Sequence, residues 1–284
     1  MPLVENNWFK TNISKRLIDK KSRIETTFCS YSFTSTNFMD AAIEVAHKIK
    51  KYDLYLGLSG GADSDFVCHL LVQQNIKFTP MIVVTPGNKL ETSYAFHTCR
   101  KFDLKPIIFE LSENEVLKIF YERIYNTING MGIYWAQNLV CQDYVKNIGG
   151  KFLSGVNCIG HDEPFEGTKY INDRKVYVCM YEFDFYSDVL YDENFEIPFF
   201  LYTPRIAYES IKGLNNYDEA ETKWKLFEII DFRPKLQYQY SQKFEIMLHK
   251  LLSKNNLKIQ DIWRNEDKKE LMKKLLDFEN KYTI

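Results

Sequence analysis

A glycine-rich segment, Ser-Gly-Gly-Ala-Asp-Ser at residues 59–64, follows an apolar run that ends at Leu58. An amphipathic run begins shortly after it, at Phe66. This order predicts a strand, a tight turn and the start of a helix. Backbone N–H groups, hydroxyl groups and the Asp63 carboxylate would then meet at a helix N-terminus, which favours binding of a phosphate chain. A turn of small residues without a ligand is the alternative.

Two common nucleotide-binding motifs do not fit this segment. The Walker pattern requires a Gly-Lys-Ser or Gly-Lys-Thr sequence, which does not follow here. The glycine spacing also differs from the dinucleotide fingerprint G-x-G-x-x-G. These differences disfavour an ordinary phosphate-loop NTPase and a dinucleotide-binding domain.

The segment instead resembles the pyrophosphate loop, S-G-G-x-D-S, of the ATP pyrophosphatases, which cleave ATP between its α and β phosphates. The resemblance implies ATP as the cofactor. Release of pyrophosphate leaves negative charge that Mg²⁺ usually neutralises, and carboxylates are suitable ligands for this ion. Asp63 is one candidate ligand and Asp162, just after a predicted strand, is the second. A solvated acidic turn at Asp162 and Glu163 is the alternative.

A basic motif, Arg233-Pro234-Lys235, follows a predicted helix that ends near Asp231. A cation could stabilise charge that develops on the α-phosphate during adenylation. Proline favours an extended conformation in the residue before it. A solvent-exposed lysine in a turn is the alternative.

Together these motifs resemble the synthetase domain of the asparagine synthetase family and its relatives, the β-lactam and carbapenam synthetases. Those proteins show S-G-G-x-D-S, an acidic residue opening the helix after the second strand, S-G, G-x-D-E-x-F-x-G and R-P-K. The same order occurs here, at residues 59–64, Glu91, 154–155, 160–167 and 233–235.

The resemblance implies roles for the matching residues. Lys235 and Asp63 would be catalytic, and Asp63 and Asp162 would hold Mg²⁺. Nucleotide binding is implied for the loop and for neighbouring strand ends, namely Leu58, Ser59, Gly60, Gly61, Asp63, Ser64, Val84, Thr85, Ser154 and Gly155.

The sequence also departs from the family. Residues 156–159 separate the Ser-Gly pair from the acidic motif by about three more residues than is usual. The chain begins Met1-Pro2 and has only a short region before the loop, so we expect no glutaminase domain and no N-terminal cysteine nucleophile. Nitrogen would come from ammonia, from an amine substrate or from a separate glutaminase subunit.

Composition restricts the class of protein. Lys plus Arg (37) nearly equals Asp plus Glu (38), so a general nucleic-acid-binding surface is disfavoured. No secretory signal and no run of roughly 18 apolar residues is present, which predicts a cytoplasmic protein without a membrane span.

The six cysteines are scattered without a C-x-x-C pair, which disfavours zinc and iron–sulfur sites and predicts reduced thiols. A homo-oligomer is left open.

The hydrophobic pattern alternates between strands and helices from residue 38 to about residue 160. Strands are expected over residues 53–58, 80–85, 106–111 and 151–156, and helices over residues 38–50, 63–74, from 88, 112–125 and 135–146. This alternation predicts an α/β fold with a doubly wound, mostly parallel sheet. Capping boxes are expected at Asn88 with Glu91 and at Ser112 with Glu115.

Three regions are predicted: an N-terminal extension over residues 1–35, an ATP-binding α/β domain over 36–170 and a mostly helical subdomain over 171–284. In the last region, residues 175–185 and 195–202 are expected to be partner strands. Thr203-Pro204 is expected to cap and open a helix over residues 205–212.

These observations favour an ATP-dependent ligase that adenylates a substrate carboxylate, forming AMP and pyrophosphate, and passes it to a nitrogen nucleophile. Two alternatives stay open. One is an enzyme of the same loop type that modifies a nucleobase or tRNA. The other is a nucleotide-binding subunit without catalytic activity.

Overall fold

A computed structural model describes residues 9–12, 25–28, 37–85, 88–119, 136–155, 169–171, 174–176 and 195–213. The strands are β1 (Phe9–Asn12), β2 (Glu25–Phe28), β3 (Leu54–Gly57), β4 (Thr79–Val84), β5 (Ile107–Glu110), β6 (Lys151–Ser154), β7 (Lys169–Ile171), β8 (Arg174–Val176) and β9 (Glu196–Pro198). The helices are α1 (Phe38–Ile49), α2 (Ala62–Gln73), α3 (Lys89–Lys101), α4 (Glu113–Ile119), α5 (Ala136–Ile148) and α6 (Pro204–Gly213).

Five strands form one parallel sheet in the order β5-β4-β3-β6-β9. The chain moves outward from β3 to β4 and β5, then returns to place β6 on the other side of β3. The point where the strand order reverses therefore lies between β3 and β6. In open α/β sheets, ligands bind beside the carboxyl ends of the strands at this point. The prediction of an α/β fold is confirmed.

Helices cover both faces of the sheet. On one face, α1, α2, α3 and α6 share a buried apolar cluster with Leu54, Leu56 and Leu153. On the other face, Cys141 and Val145 of α5 pack with strand residues that include Phe152. Apolar residues thus alternate between the two faces along β3, β4 and β6, as strands with helices on both sides require. The sheet is doubly wound, as the sequence predicts.

Strand β9 is shorter than predicted. Residues 195–202 were expected to form a strand beside residues 175–185, but β9 covers only three residues and pairs in parallel with β6. Residues 177–185 lie outside the described residues, so the pairing with them stays a prediction. Residues Phe199–Leu201 then form a short 3-10 helix, and Phe199 and Phe200 are buried against Phe66. All three residues of β9 are buried, so burial against the central sheet decides the partner.

The start of α6 agrees with the sequence. The Ile206 N–H donates to the Thr203 hydroxyl oxygen at 3.2 Å, and Pro204 is the first helical residue. Thr203 is therefore the predicted cap. Residues 214–284 lie outside the described residues, so a mostly helical C-terminal subdomain stays a prediction. The same holds for the N-terminal extension, of which β1 and β2 are described as an antiparallel pair.

No helix in the described parts of the chain is long and apolar enough to cross a membrane.

Candidate functional site

The glycine-rich loop begins at the centre of the sheet. Its first residue, Leu58, is buried, and its N–H donates to the Met81 carbonyl oxygen at 2.8 Å. This bond continues the pairing of β3 with β4 by one residue. The loop consequently leaves the sheet from a fixed position beside the reversal point.

Gly60 rests on the first turn of α3. Its φ angle is +89°, and a Cβ at this position would stand 2.1 Å from the Glu91 carbonyl oxygen and 3.3 Å from the Ala95 nitrogen. Both the backbone conformation and the contact require glycine. The loop is thus seated on the backbone of another helix.

Two serines close a ring of hydrogen bonds between the loop and α2. The Gly61 N–H donates to the Ser59 hydroxyl oxygen at 3.2 Å, and the Ser64 hydroxyl donates to the Gly61 carbonyl oxygen at 3.2 Å. The two hydroxyl oxygens are 3.1 Å apart. Because Ser64 has one hydroxyl proton, already donated to Gly61, the Ser59 hydroxyl is the donor between the serines. The ring fixes the loop before any ligand arrives.

The N-cap residue of α2 makes no side-chain cap. Gly61 is the N-cap residue and its conformation is extended. The first N–H groups of a helix have no partner within the helix, and the helix dipole favours an anion beside them. The phosphate-binding role predicted for residues 59–64 concerns this end of α2, and it stays a prediction.

The end of β6 lies against the same turn of α2. Ser154 is buried, and a Cβ on Gly155 would stand 2.9 Å from the Ser64 Cα and 3.0 Å from the Ser64 nitrogen. Two segments that are 90 residues apart in sequence are thus in contact beside the reversal point. The structure brings the predicted Ser154-Gly155 pair next to the predicted loop.

Asn88 binds the backbone at the end of β4. Its side-chain oxygen accepts from the Thr85 N–H at 2.7 Å, and its side-chain nitrogen donates to the Val83 carbonyl oxygen at 2.8 Å. Asn88 makes no side-chain cap on α3, so the capping box predicted with Glu91 is wrong. The asparagine side chain instead binds the backbone of the preceding turn, a common use of this residue. Val84 and Thr85 are thereby fixed at the strand end.

Carboxylate oxygens occur near the loop in the described part of the chain. Oδ1 of Asp63 and Oε1 of Glu91 are both buried. Within the described ranges, no group of three or more His, Cys, Asp or Glu residues is placed to hold a metal ion. Asp162 and Lys235 lie outside the described residues, so their roles stay predictions.

A buried polar pair joins α2 to α3 at residues that the sequence analysis did not single out. The Thr98 hydroxyl donates to Oδ1 of Asp65 at 2.6 Å, and both residues are almost fully buried. Nε2 of His69 lies 3.9 Å from the second Asp65 oxygen. The sequence signal for this pair is weak, since an aspartate and a threonine on helices are ordinarily exposed.

Comparison with known proteins gives no family. No protein-family model matches the sequence, and no curated protein matches it at a significant level. Among solved structures, the chain is similar to NMN synthetase from Francisella tularensis, with 12% identity and a TM-score of 0.34 over 44% of this chain and 56% of that chain.

Two further solved structures are similar at the same low level. NH3-dependent NAD synthetase from Campylobacter jejuni subsp. jejuni has 19% identity and a TM-score of 0.31 over 43% of this chain and 58% of that chain. Glutamine-dependent NAD+ synthetase from Acinetobacter baumannii, in complex with ADP, has 14% identity and a TM-score of 0.40 over 89% of this chain and 46% of that chain. The chain thus spans about half the length of these proteins. At these scores the likeness bears on neither activity nor substrate.

Proposed function

We propose that this protein binds ATP with its phosphates at the 58–64 loop and uses it to adenylate a substrate carboxylate, with release of pyrophosphate. The activated carboxyl group then passes to a nitrogen nucleophile, and AMP leaves. This reaction is that of an amide-forming ligase of the asparagine-synthetase-like type.

One observation carries the proposal. The loop, the N-terminus of α2 and the Ser154-Gly155 strand end are in contact at the carboxyl edge of the sheet, where the strand order reverses. A preorganised loop gives phosphate positioning at little entropic cost, and positioning supplies much of the catalysis in such reactions. The S-G-G-x-D-S spacing adds the expectation that the α–β bond of ATP is cleaved.

Magnesium fits the donor set near the loop. Mg²⁺ is usually held by one or two carboxylates together with substrate phosphate oxygens and water. Asp63 offers a carboxylate in the first turn of α2, and Asp162 is its proposed companion. When bound, the ion would neutralise charge on the departing pyrophosphate. Lys235 is proposed to stabilise the adenylation transition state.

The partners follow from this chemistry. The substrates would be a small carboxylic acid and ammonia or an amine, with a separate glutaminase subunit as another source of nitrogen. No described residue identifies the acid.

ATP–pyrophosphate exchange tests the proposal directly. Purified protein is incubated with Mg²⁺, ATP, labelled pyrophosphate and pools of carboxylic acids, and mass spectrometry follows products coupled to AMP. We expect exchange that depends on one pool. ATP binding without exchange in any pool would favour a nucleotide-binding subunit, and AMP release that depends on RNA would favour base modification. Either of these results would overturn the ligase assignment.

A further inference from the structure

One face of α3 contacts the 58–64 loop and α2 through four residues. Glu91, Ala95, Thr98 and Phe102 follow one another at spacings of four, three and four residues, which places them on one side of the helix. Gly60 meets the first two through their backbone atoms. Further along, α2 meets Thr98 and Phe102 through side chains.

The two side-chain contacts differ in kind. The His69 ring packs edge-on against the Phe102 ring, with centroids 4.6 Å apart. The Asp65–Thr98 contact is a hydrogen bond of 2.6 Å between residues that are 1% and 0% exposed. A hydrogen bond loses strength steeply with distance and angle, whereas an aromatic pair is favourable over ring separations of about 4.5–7 Å. Of these two contacts, the Asp65–Thr98 hydrogen bond therefore restricts the position of α2 along the axis of α3 more strictly.

Asp65 is also directly connected to the loop. It lies in the first turn of α2, and its N–H donates to the carbonyl oxygen of the N-cap Gly61 at 3.0 Å. Helix α3 begins immediately after Asn88, whose side chain accepts a hydrogen bond from the Thr85 N–H at the end of β4. Helix α3 therefore contacts both the loop that follows β3 and the strand end of β4.

We infer that Asp65 and Thr98 are positioning residues. Their hydrogen bond sets the position of the 58–64 loop relative to α3. The hydrogen bond between their side chains includes no residue that is proposed to hold phosphate or metal. The consequence for ATP rests on the proposed function, but the effect on the loop does not. A buried polar pair that only stabilised the fold would leave the loop unchanged relative to other variants of equal stability.

Amide hydrogen exchange of the loop separates these two roles. The variants are Thr98→Val, which removes the hydroxyl at nearly constant shape, and Thr98→Ser, which retains it. The matched control is Gln142→Leu, because Gln142 donates to buried Glu196 at 2.6 Å between α5 and β9, on the opposite face of the sheet. Exchange is followed by mass spectrometry on peptides that cover residues 57–66.

We expect Thr98→Val to raise the rate of amide hydrogen exchange in the loop by about tenfold. A factor of this size corresponds to the loss of one buried hydrogen bond. Thr98→Ser should stay within about twofold of wild type, since its hydroxyl can still donate. Gln142→Leu should lower the midpoint of unfolding without changing loop exchange. Equal loop exchange in Thr98→Val and Gln142→Leu would overturn the inference, as would Thr98→Ser behaving like Thr98→Val.

A double variant protects the test against misfolding. Asp65→Val with Thr98→Val replaces both partners of this hydrogen bond by apolar groups, which costs less stability than leaving one buried partner unsatisfied. We expect its unfolding midpoint to be at or above that of Thr98→Val, and the amide exchange of its loop to be raised as well. Wild-type exchange in this folded double variant would overturn the inference.

Isothermal titration with ATP and Mg²⁺ connects the contact to the proposed function. We expect Thr98→Val to weaken ATP binding by about tenfold and Gln142→Leu to leave it unchanged. If wild-type protein bound no ATP, the proposed function would fail, while loop exchange would still decide the positioning role. If wild type bound ATP and Thr98→Val bound it equally well, the connection to ATP would be wrong.

Discussion

Gly60 lies so close to α3 that a Cβ on it would stand 2.1 Å from the Glu91 carbonyl oxygen. The loop that follows β3 is therefore seated on the backbone of a helix that follows β4. Because a backbone carbonyl in a helix cannot move aside alone, this contact ties the geometry of the loop to the position of α3.

Replacement of Gly60 by alanine should be strongly destabilising. The left-handed conformation costs a non-glycine residue about 1–2 kcal/mol, and overpacking adds about 1–3 kcal/mol, so we expect a total near 3 kcal/mol. Urea unfolding measures this loss. The control is Gly149→Ala, where φ is +80° but no atom lies within 4 Å of the added Cβ, so only the first cost applies. Equal losses in the two variants would contradict the contact.

Replacement of Gly155 by alanine should weaken ATP binding by at least about tenfold. The added Cβ would press on the first turn of α2, at Ser64, and would displace the proposed phosphate site. Titration with ATP measures the effect. The control is Gly150→Ala at the other end of β6, whose Cβ would meet the Tyr55 ring at 2.4 Å, far from the loop. Similar loss of ATP affinity in both variants would count against the site.

Asp63→Asn should abolish formation of AMP and pyrophosphate while the free energy of unfolding falls by no more than about 1 kcal/mol, the usual contribution of an acidic residue in the first turn of a helix. The amide keeps the shape of the side chain but removes the charge proposed to bind Mg²⁺. Pyrophosphate exchange and thermal unfolding are measured on the same samples. Asp103→Asn, an exposed position beyond the C-terminus of α3, is the control and should stay fully active. Unchanged exchange in Asp63→Asn would refute the proposed metal ligand.

Asn88→Ala should cost about 2 kcal/mol, because Asn88 is buried and its side chain binds both Thr85 and Val83. Asn88→Asp keeps the acceptor for the Thr85 N–H but loses the donor to the Val83 carbonyl, so we expect an intermediate loss. Denaturant unfolding gives both values. If the aspartate variant were as stable as wild type, the donor bond would contribute nothing.

The buried cysteines should be unreactive in the folded protein. Burial raises the pKa of the Cys99 thiol to about 11 and that of the Cys141 thiol to about 12, and it also raises the pKa of Cys68. At pH 8 these groups are thiols, and the thiolate is the reactive form. Alkylation followed by peptide mapping should modify them only after denaturation. Rapid modification of the native protein would contradict their burial.

The same shifts predict how stability changes at high pH. In the unfolded chain these thiols ionise near pH 9, whereas in the folded protein they stay protonated. The unfolded state therefore binds fewer protons above pH 9, and the free energy of unfolding should fall as pH rises through that value. Urea unfolding at pH 8 and pH 10 measures the change, and a cysteine-to-alanine variant at position 141 should reduce it.

Local signals in the sequence predicted local structure correctly. The Ser112–Glu115 capping box forms as expected, with the Ser112 N–H donating to Oε2 of Glu115 at 2.7 Å. Thr203 also caps its helix as predicted. In both cases the two partners are three residues apart in the sequence, so the local sequence pattern is sufficient to predict the hydrogen bond. Asn88 gave the same kind of signal and was interpreted wrongly, because its side chain turned back to the preceding strand end.

By itself, the sequence determined the alternation of strands and helices and the turn at residues 59–64. These follow from periodicity and from contacts between neighbours in the chain. Only the tertiary structure decided the partner of β9, the seat of Gly60 on α3 and the bond between Asp65 and Thr98. Each of these joins residues more than 30 positions apart, and their geometry depends on how the sheet orders its strands and packs its helices. No local pattern encodes that arrangement.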